Sequence, residues 1–414
     1  MTEHGAGAPA RKTSRRTFLA QMGAVGAAAV AAPVIGSSQA WGAATRPGGP
    51  TLLGRAARTS PIKHIIVHCQ ENHSFDHYFG SYKGLPAGFG IPADYTKNSG
   101  VKPFHFQNLT DNGDDPNHDW TATHEAYNGG KMNGFVSNGN GRDAMGFYNE
   151  SDLPYYYSLF PEFTLCAEYF CGTLTETLPN RLVLYAGTSG GITNDSAPAN
   201  GSITWPCITH LLDNHNISYK NYNFHCPTNY SYLALFKGNN NKAKLNRTIA
   251  DFMSDCKNGT LPQVSFITDA PPYDEHPTAN IHTGQTMSKS IIQAVHASPV
   301  WEHTALWFTY DEGGGFFDHR APKELDAFGS GIRVPGVMIS PLAKKGHVDT
   351  TYSDHASVLK FIEHVFGLPT LASINTQFNK GTPPGAGQGG GKPFPPRDGN
   401  TAISNLTQLF TVAV

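Results

Sequence analysis

The stretch Ile62-Lys63-His64-Ile65-Ile66-Val67-His68-Cys69 runs directly into Gln70-Glu71-Asn72-His73-Ser74-Phe75-Asp76-His77, and that change of character decides the fold. The first half is rich in β-branched residues and reads as a strand; the second is a cluster of acids, amides and histidines. The same break recurs twice. Gln263 to Thr268 ends in Asp269 and continues through Pro271-Pro272-Tyr273-Asp274-Glu275-His276-Pro277, and Thr304 to Tyr310 ends in Asp311-Glu312-Gly313-Gly314-Gly315. Ligands of open α/β sheets bind just beyond the carboxyl ends of the strands, so three such ends side by side would make one site. Helical patterns fall between and after them, from Ser288 to Ala297 and from Asp354 to Phe366, the latter with an acidic cap and a Gly367-x-Pro369 stop. A further buried strand is expected from Val334 to Ser340. The expected class is α/β, a central, mostly parallel sheet flanked by helices, with long loop insertions.

Composition agrees with one large catalytic domain. Of 414 residues 39% are hydrophobic and only 15% charged, enough apolar material for a sizeable core and too little charge for a disordered chain. The 44 glycines and 29 prolines predict many turns and long loops. Residues 105 to 150 lack clean periodicity and read as a loop insertion over the site. Residues 376 to 400 have linker composition and read as a Gly/Pro-rich surface loop.

The first forty residues read as an export signal. Arg15-Arg16 precede a weak Ala/Gly-rich apolar run and the small-x-small sequence Ser38-Gln39-Ala40. A twin-arginine signal peptide over 1–40, a linker over 41–60 and a single catalytic domain over 61–414 follow, with the twin-arginine translocase as partner during export. The expected location is periplasmic or secreted, without stable membrane insertion. Residues 1–40 carry four basic residues (Arg11, Lys12, Arg15, Arg16) and one acid (Glu3), so removing them takes the formal charge from −2 to −5. That balance disfavours nucleic acid as a partner. Six cysteines in an exported chain allow up to three disulfides in fifteen pairings, among which the sequence does not choose.

The polar clusters suggest chemistry. Glu71, Asn72, Asp311 and Glu312 offer hard oxygen donors at strand ends, suited to a divalent cation. The triple glycine after Glu312 would let backbone approach a bound group. The segment Gly172 to Arg181 leads into a helix-like run with an early proline. If Thr177 opens that helix, its hydroxyl lies at the positive end of a helix dipole, where phosphate binds and an alkoxide is stabilised. The competing reading makes Thr177 only an N-cap. Among 19 histidines, His276 is the first candidate and His118 the second for binding phosphoryl oxygens or protonating a leaving alkoxide; His319 and His355 also lie near the expected site. Tyr155, Tyr156, Tyr157, Tyr219, Tyr222 and Trp120 are candidates for holding a cationic head group.

These residues resemble a known family. IKHIIVHCQENHSFDHYFG looks like the opening of the bacterial phosphoesterases that include phospholipases C of the non-zinc type and AcpA-like acid phosphatases. HDWTATHEAYNGGKMNGF, TLPNRLVLYAGTS, TYDEGGGFFDHRAP and GSGIRVPGVMISPLAKKGHVDTTYSDHASVLKFIEHVFGLP agree in order, over about residues 61 to 370. The resemblance implies an alkaline-phosphatase-like core and hydrolysis of phosphate esters through a phosphothreonine on Thr177. It also implies one divalent metal ion (Ca, Mg, Mn or another) held by Glu71, Asn72, Asp311, Glu312 and Thr177. His118 and His276 would contact phosphate, and His225 and Asn180 would bind substrate, a small phosphate ester or a phospholipid. His73 departs from the family's usual arginine, and TLTETLPNR is more elaborate than the family's common form. Both changes would bear on substrate choice. The rival from another class is a non-catalytic exported protein that binds a phosphorylated ligand on the same fold. A sulfatase-like hydrolase would need a C/S-x-P-x-R motif, which does not occur around residue 177.

Overall fold

The computed structural model describes residues 60–223, 231–374 and 395–414. The export signal, nearly all of the linker, His225 and most of the Gly/Pro-rich segment lie outside the described residues.

Eight strands form the principal sheet. In chain order they are β1 (His64–Gln70), β2 (Thr164–Cys166), β3 (Tyr219–Asn223), β4 (Arg247–Thr248), β5 (Val264–Thr268), β6 (Thr304–Tyr310), β7 (Gly336–Ile339) and β8 (His347–Asp349). Across the sheet the order is β8-β2-β7-β6-β1-β5-β3-β4. Every pairing is parallel except those of β7, which runs against both β6 and β2. The expected strand before the last helix is therefore present but antiparallel. In the centre, β6 is buried along its whole length and β1 along all but its first residue, so both faces of the sheet are covered.

Five helices matter to the site: α1 (Trp120–Tyr127), α2 (Thr177–Ala186), α3 (Ile249–Asn258), α4 (Ile281–His296) and α5 (His355–Phe366). Four of them form two packed pairs, α2 with α5 and α3 with α4. Helix α5 begins where its acidic cap predicted: the Asp354 carboxylate accepts from Ala356 N, Ser357 completes a capping box, and Gly367 closes the helix at φ 63°. Helix α4 starts seven residues before the expected Ser288, capped by Asn280. Gly284 obscured that first half in the sequence, yet it is required there, because a Cβ would lie 2.1 Å from Glu275 Cγ.

Two expectations about loops change. The insertion over residues 105 to 150 contains α1, capped by the Asp119 carboxylate on Ala122 N; only Ala122, Thr123 and Ala126 of it are buried, too small an apolar face to show as periodicity. The end of the expected surface loop, Pro396 to Asp398, is buried. The Arg397 guanidinium there donates to Asp354, Asp326 and the carbonyls of Gly172 and Gly329. Among the described residues five cysteines (Cys69, Cys166, Cys171, Cys207, Cys256) are buried free thiols, and Cys226 lies outside.

Candidate active site

Strand register brings the three polar clusters together. Cys69 pairs with both Thr268 and Thr309, and Gln70 with Tyr310, so β5, β1 and β6 end at one level. Glu71, Asn72, Asp311 and Glu312 follow immediately, all buried. Asn72 N donates to Asp311 Oδ1 at 3.2 Å, which locks the two strand-end turns to each other. Asn72 takes a left-handed φ of 67°. The glycines after Glu312 serve this turn: a Cβ on Gly314 would lie 2.0 Å from the Asn72 carbonyl oxygen. Gly314 admits the Asn72 backbone and Gly315 that of Pro116 and Asn117. Gly314 N also donates to Glu312 Oε2 at 2.6 Å.

Thr177 is the first residue of α2, and Glu176 stands at the N-cap. The Thr177 side chain thus caps nothing, and its hydroxyl makes no hydrogen bond to the described residues, as expected of a group left available at a helix N-terminus. Leu178 N, one of the unpaired donors of that first turn, donates to Asp195 Oδ1 at 2.7 Å, while Asp195 N donates to Glu176 Oε2. Asn180 secures the approach to the helix. Its Oδ1 accepts from Thr173 N and its Nδ2 donates to the carbonyls of Thr175 and Glu176. All its polar atoms hold backbone, so it acts as a brace for the Thr177 turn.

Arg181 connects the helix to the strand ends. It is fully buried and donates through Nε to Asp311 Oδ2 at 3.0 Å and to the carbonyls of Cys69 and Gln70, with Glu71 Oε1 at 3.5 Å. Residues four apart share a helix face, so Thr177 and Arg181 lie on the same side of α2, about 6 Å apart along the axis. His355 Nε2 braces the same turn by donating to the Asp311 carbonyl at 2.7 Å.

His118 enters from the loop before α1. Its Nδ1 pairs with the Pro116 carbonyl at 2.7 Å, and its Nε2 faces Asn72 Nδ2 at 3.2 Å and Glu312 Oε1 at 3.5 Å. His276 lies beside it, ring centroids 6.1 Å apart, and both approach Asp115. Burial alone would push His118 down, but Glu312, Asp115, the Pro116 carbonyl and Glu176 outweigh it and raise it to about 10. Glu312 is pushed up to about 8 by burial, partly countered by His118. Asp195 is pushed up to about 7 by burial and by Glu176. The site concentrates more buried carboxylate than its own cations satisfy.

The oxygen set suits a hard divalent cation. Asn72 Oδ1 is buried and accepts no hydrogen bond, and Glu312 Oε1 meets only His118 Nε2, at 3.5 Å; a buried oxygen left without a hydrogen bond costs about 1–3 kcal/mol. A bound cation would remove that cost, and carboxylate with amide oxygen is the donor chemistry Ca²⁺, Mg²⁺ and Mn²⁺ take.

Residues 62–369 match the model of the phosphoesterase family. The chain belongs to the phosphoesterase family. This phosphoesterase is 30% identical over 396 residues to non-hemolytic phospholipase C of Burkholderia pseudomallei (strain K96243), covering 75% of its own length but 56% of that protein. It is 30% identical over 459 residues to phospholipase C A of Mycobacterium tuberculosis (strain CDC 1551 / Oshkosh), covering 90% and 86%. Non-specific phospholipase C3 of Arabidopsis thaliana is 28% identical, with 78% and 72% covered. Among solved structures, the lipoteichoic acid synthase LtaP from Listeria monocytogenes aligns over 74% of this chain and 72% of its own at 12% identity and TM-score 0.42, too loose a likeness to carry an assignment.

Of the residues expected in the site, the phosphoesterase brings Glu71, Asn72, Asp311, Glu312, His118 and His276 to one strand-end cluster, with Thr177 on the helix tied to it. Arg181, Glu176, Asp195 and Asp115 were not singled out. Arg181 stood in the quoted TLPNR block, where an arginine one turn after the candidate nucleophile was a usable signal. Asp195 follows a featureless loop, and only folding brings it to α2. Among the aromatic candidates, Tyr156, Tyr219 and Tyr222 are buried, with their hydroxyls on Glu275, Asp213 and Asp255. Trp120, two residues after His118, packs on His124 and Phe328. His73 is buried against Tyr78 and donates to the Glu275 carbonyl.

Proposed function

We propose that this chain is an exported, metal-dependent hydrolase of phosphate esters that works through a phosphothreonine at Thr177. The observation that carries the reading is the Thr177 hydroxyl, unengaged on the first turn of α2 and one turn above an arginine tied to Asp311 and Glu71. Thr177 Oγ attacks phosphorus as its proton passes to solvent, the bond to the leaving oxygen breaks, and His276 or His118 delivers a proton to the departing alkoxide. Water then cleaves the Oγ–P bond, releasing phosphate or a phosphomonoester and restoring the hydroxyl. The N-terminal turn of α2 favours the negative phosphoryl group throughout. Asn180 and Arg181 keep Thr177 aligned with the strand ends.

Glu71, Asn72, Asp311 and Glu312, with Thr177 Oγ, would hold one divalent cation, whose charge favours the ionised nucleophile and neutralises phosphoryl oxygens. The phospholipase C names of the relatives support a phospholipid or other phosphodiester as substrate; an acid phosphatase would take monoesters through the same intermediate. Arg15-Arg16 and the apolar run behind them support export. Among the described residues no helix is long and apolar enough to cross a membrane.

The test is release of p-nitrophenol from p-nitrophenylphosphorylcholine and from p-nitrophenyl phosphate, with and without chelator. Thr177→Ala is expected to lower kcat at least about a thousandfold, as loss of a covalent nucleophile does elsewhere. A Thr177→Ala protein that still turns over at the wild-type rate removes the covalent mechanism. Indifference to chelator and to re-added cation removes the metal.

A further inference from the structure

A second group of ligating side chains lies buried beside the strand-end cluster, separate from the residues assigned above. His73, His77 and Asp111 are each fully buried, and one ligand atom from each lies within 4.8 Å of the other two. What sets them apart is how few of their polar atoms make a hydrogen bond of good geometry. His73 Nδ1, both ring nitrogens of His77 and both carboxylate oxygens of Asp111 are buried without a hydrogen bond of good geometry. The Tyr148 hydroxyl beside Asp111 accepts from its backbone N–H at 2.9 Å. Buried polar atoms are nearly always paired, so five such atoms on three adjoining side chains, one from each within 4.8 Å of the other two, are an exception that calls for a missing partner.

The surrounding contacts prepare these groups as ligands. His73 Nε2 donates to the Glu275 carbonyl at 2.7 Å, which places its proton there and leaves a lone pair on Nδ1. A metal-bound histidine is usually held by that kind of outer hydrogen bond. The rings are fixed by packing, His73 stacked on Tyr78 at 4.0 Å between centroids and His77 on Tyr148 at 5.1 Å. His77 Nε2 lies 3.3 Å from Asp111 Oδ1, close to the separation of about 3.4 Å that a tetrahedral centre with bonds of about 2.1 Å imposes on its donors.

We propose that His73, His77 and Asp111 form a second, buried metal site for a borderline first-row divalent cation of the Zn²⁺ class. Two imidazoles and one carboxylate favour such an ion over Ca²⁺ or Mg²⁺. Its role is positional. Asp111 opens the loop that continues through Asp115 to His118, while His73 directly follows Asn72, so an ion here clips the His118 loop to the end of β1. Full burial means that the ion loads during folding and exchanges slowly.

The test uses the full chain and Zn²⁺ alone, with no activity readout, so it is independent of the proposed hydrolysis. Crystals of wild-type protein prepared with Zn²⁺ are expected to show an anomalous peak at the zinc edge bounded by His73, His77 and Asp111. Asp111→Asn, which keeps the side-chain volume, is expected to lose one equivalent of bound Zn²⁺, while Glu312→Gln retains that equivalent. Absence of the peak, or a peak only beside Asn72 and Glu312, overturns the site. So does a folded Asp111→Asn protein with undiminished zinc. If Asp111→Asn fails to fold by circular dichroism, the wild-type anomalous map alone decides.

Discussion

Arg181 shows how one residue can hold a site together from the interior. Its guanidinium is the cation between Asp311, Glu71 and two strand-end carbonyls, all in the interior. Removing one partner of a buried ion pair typically costs about 3–5 kcal/mol, because the other charge is left uncompensated. Arg181→Met should therefore destabilise by about that much and shift Asp311 and Glu71 out of register. Denaturant unfolding checks the first part. A midpoint within experimental error of wild type would mean that the pair does not hold these strand ends. His73 makes the complementary point. The sequence marked it as a departure from the family pattern, and its side chain is buried against Tyr78 and bonds the Glu275 backbone.

The elements that present the site are short turns whose geometry depends on single residues. Gly314, at φ 63° and against the Asn72 carbonyl, has no room for a side chain. Gly314→Ala should cost stability by roughly 1–3 kcal/mol of backbone strain and displace Asn72. A displacement near 1 Å in a positioned group costs about a hundredfold in rate, so kcat should fall much further than stability alone explains. Full activity in Gly314→Ala would show that the Asn72 turn tolerates movement. At α1 the relevant residue is Asp119, which caps the helix directly after His118. Asp119→Ala should lower stability by about 1 kcal/mol and raise the mobility of the His118 loop, read as a lower kcat with Thr177 intact. Unchanged turnover would separate that cap from the site.

Across the molecule, distant segments close over the same end of the sheet. Arg397, at the far end of a Gly- and Pro-rich stretch, reaches back to Asp354 at the cap of α5, to Asp326 and to the Gly172 carbonyl before the Thr177 turn. Arg397→Met leaves the Asp354 carboxylate buried without its guanidinium and should lower the unfolding free energy by about 3–5 kcal/mol. Thermal unfolding measures it; a melting temperature equal to wild type would show that the C-terminal segment is dispensable to the core.

Much was legible in the sequence because the fold writes it locally. A β-rich run that breaks into acids and histidines marks a strand end, and parallel pairing in register brings such ends to one edge; β1, β5 and β6 follow that rule, and so do Glu71, Asn72, Asp311 and Glu312. Asp354 and Gly367 bound α5 because capping is a local hydrogen-bond requirement. The sequence thus determined the α/β class, the strand-end cluster and the placement of Thr177 at a helix start. Only the tertiary structure decided that β7 runs antiparallel, that Asn180 braces backbone, that Asp195 reaches α2, and that His73, His77 and Asp111 converge. Each of these depends on contacts between segments far apart in the chain, and the side-chain types at single positions carry no record of which distant backbone they will meet.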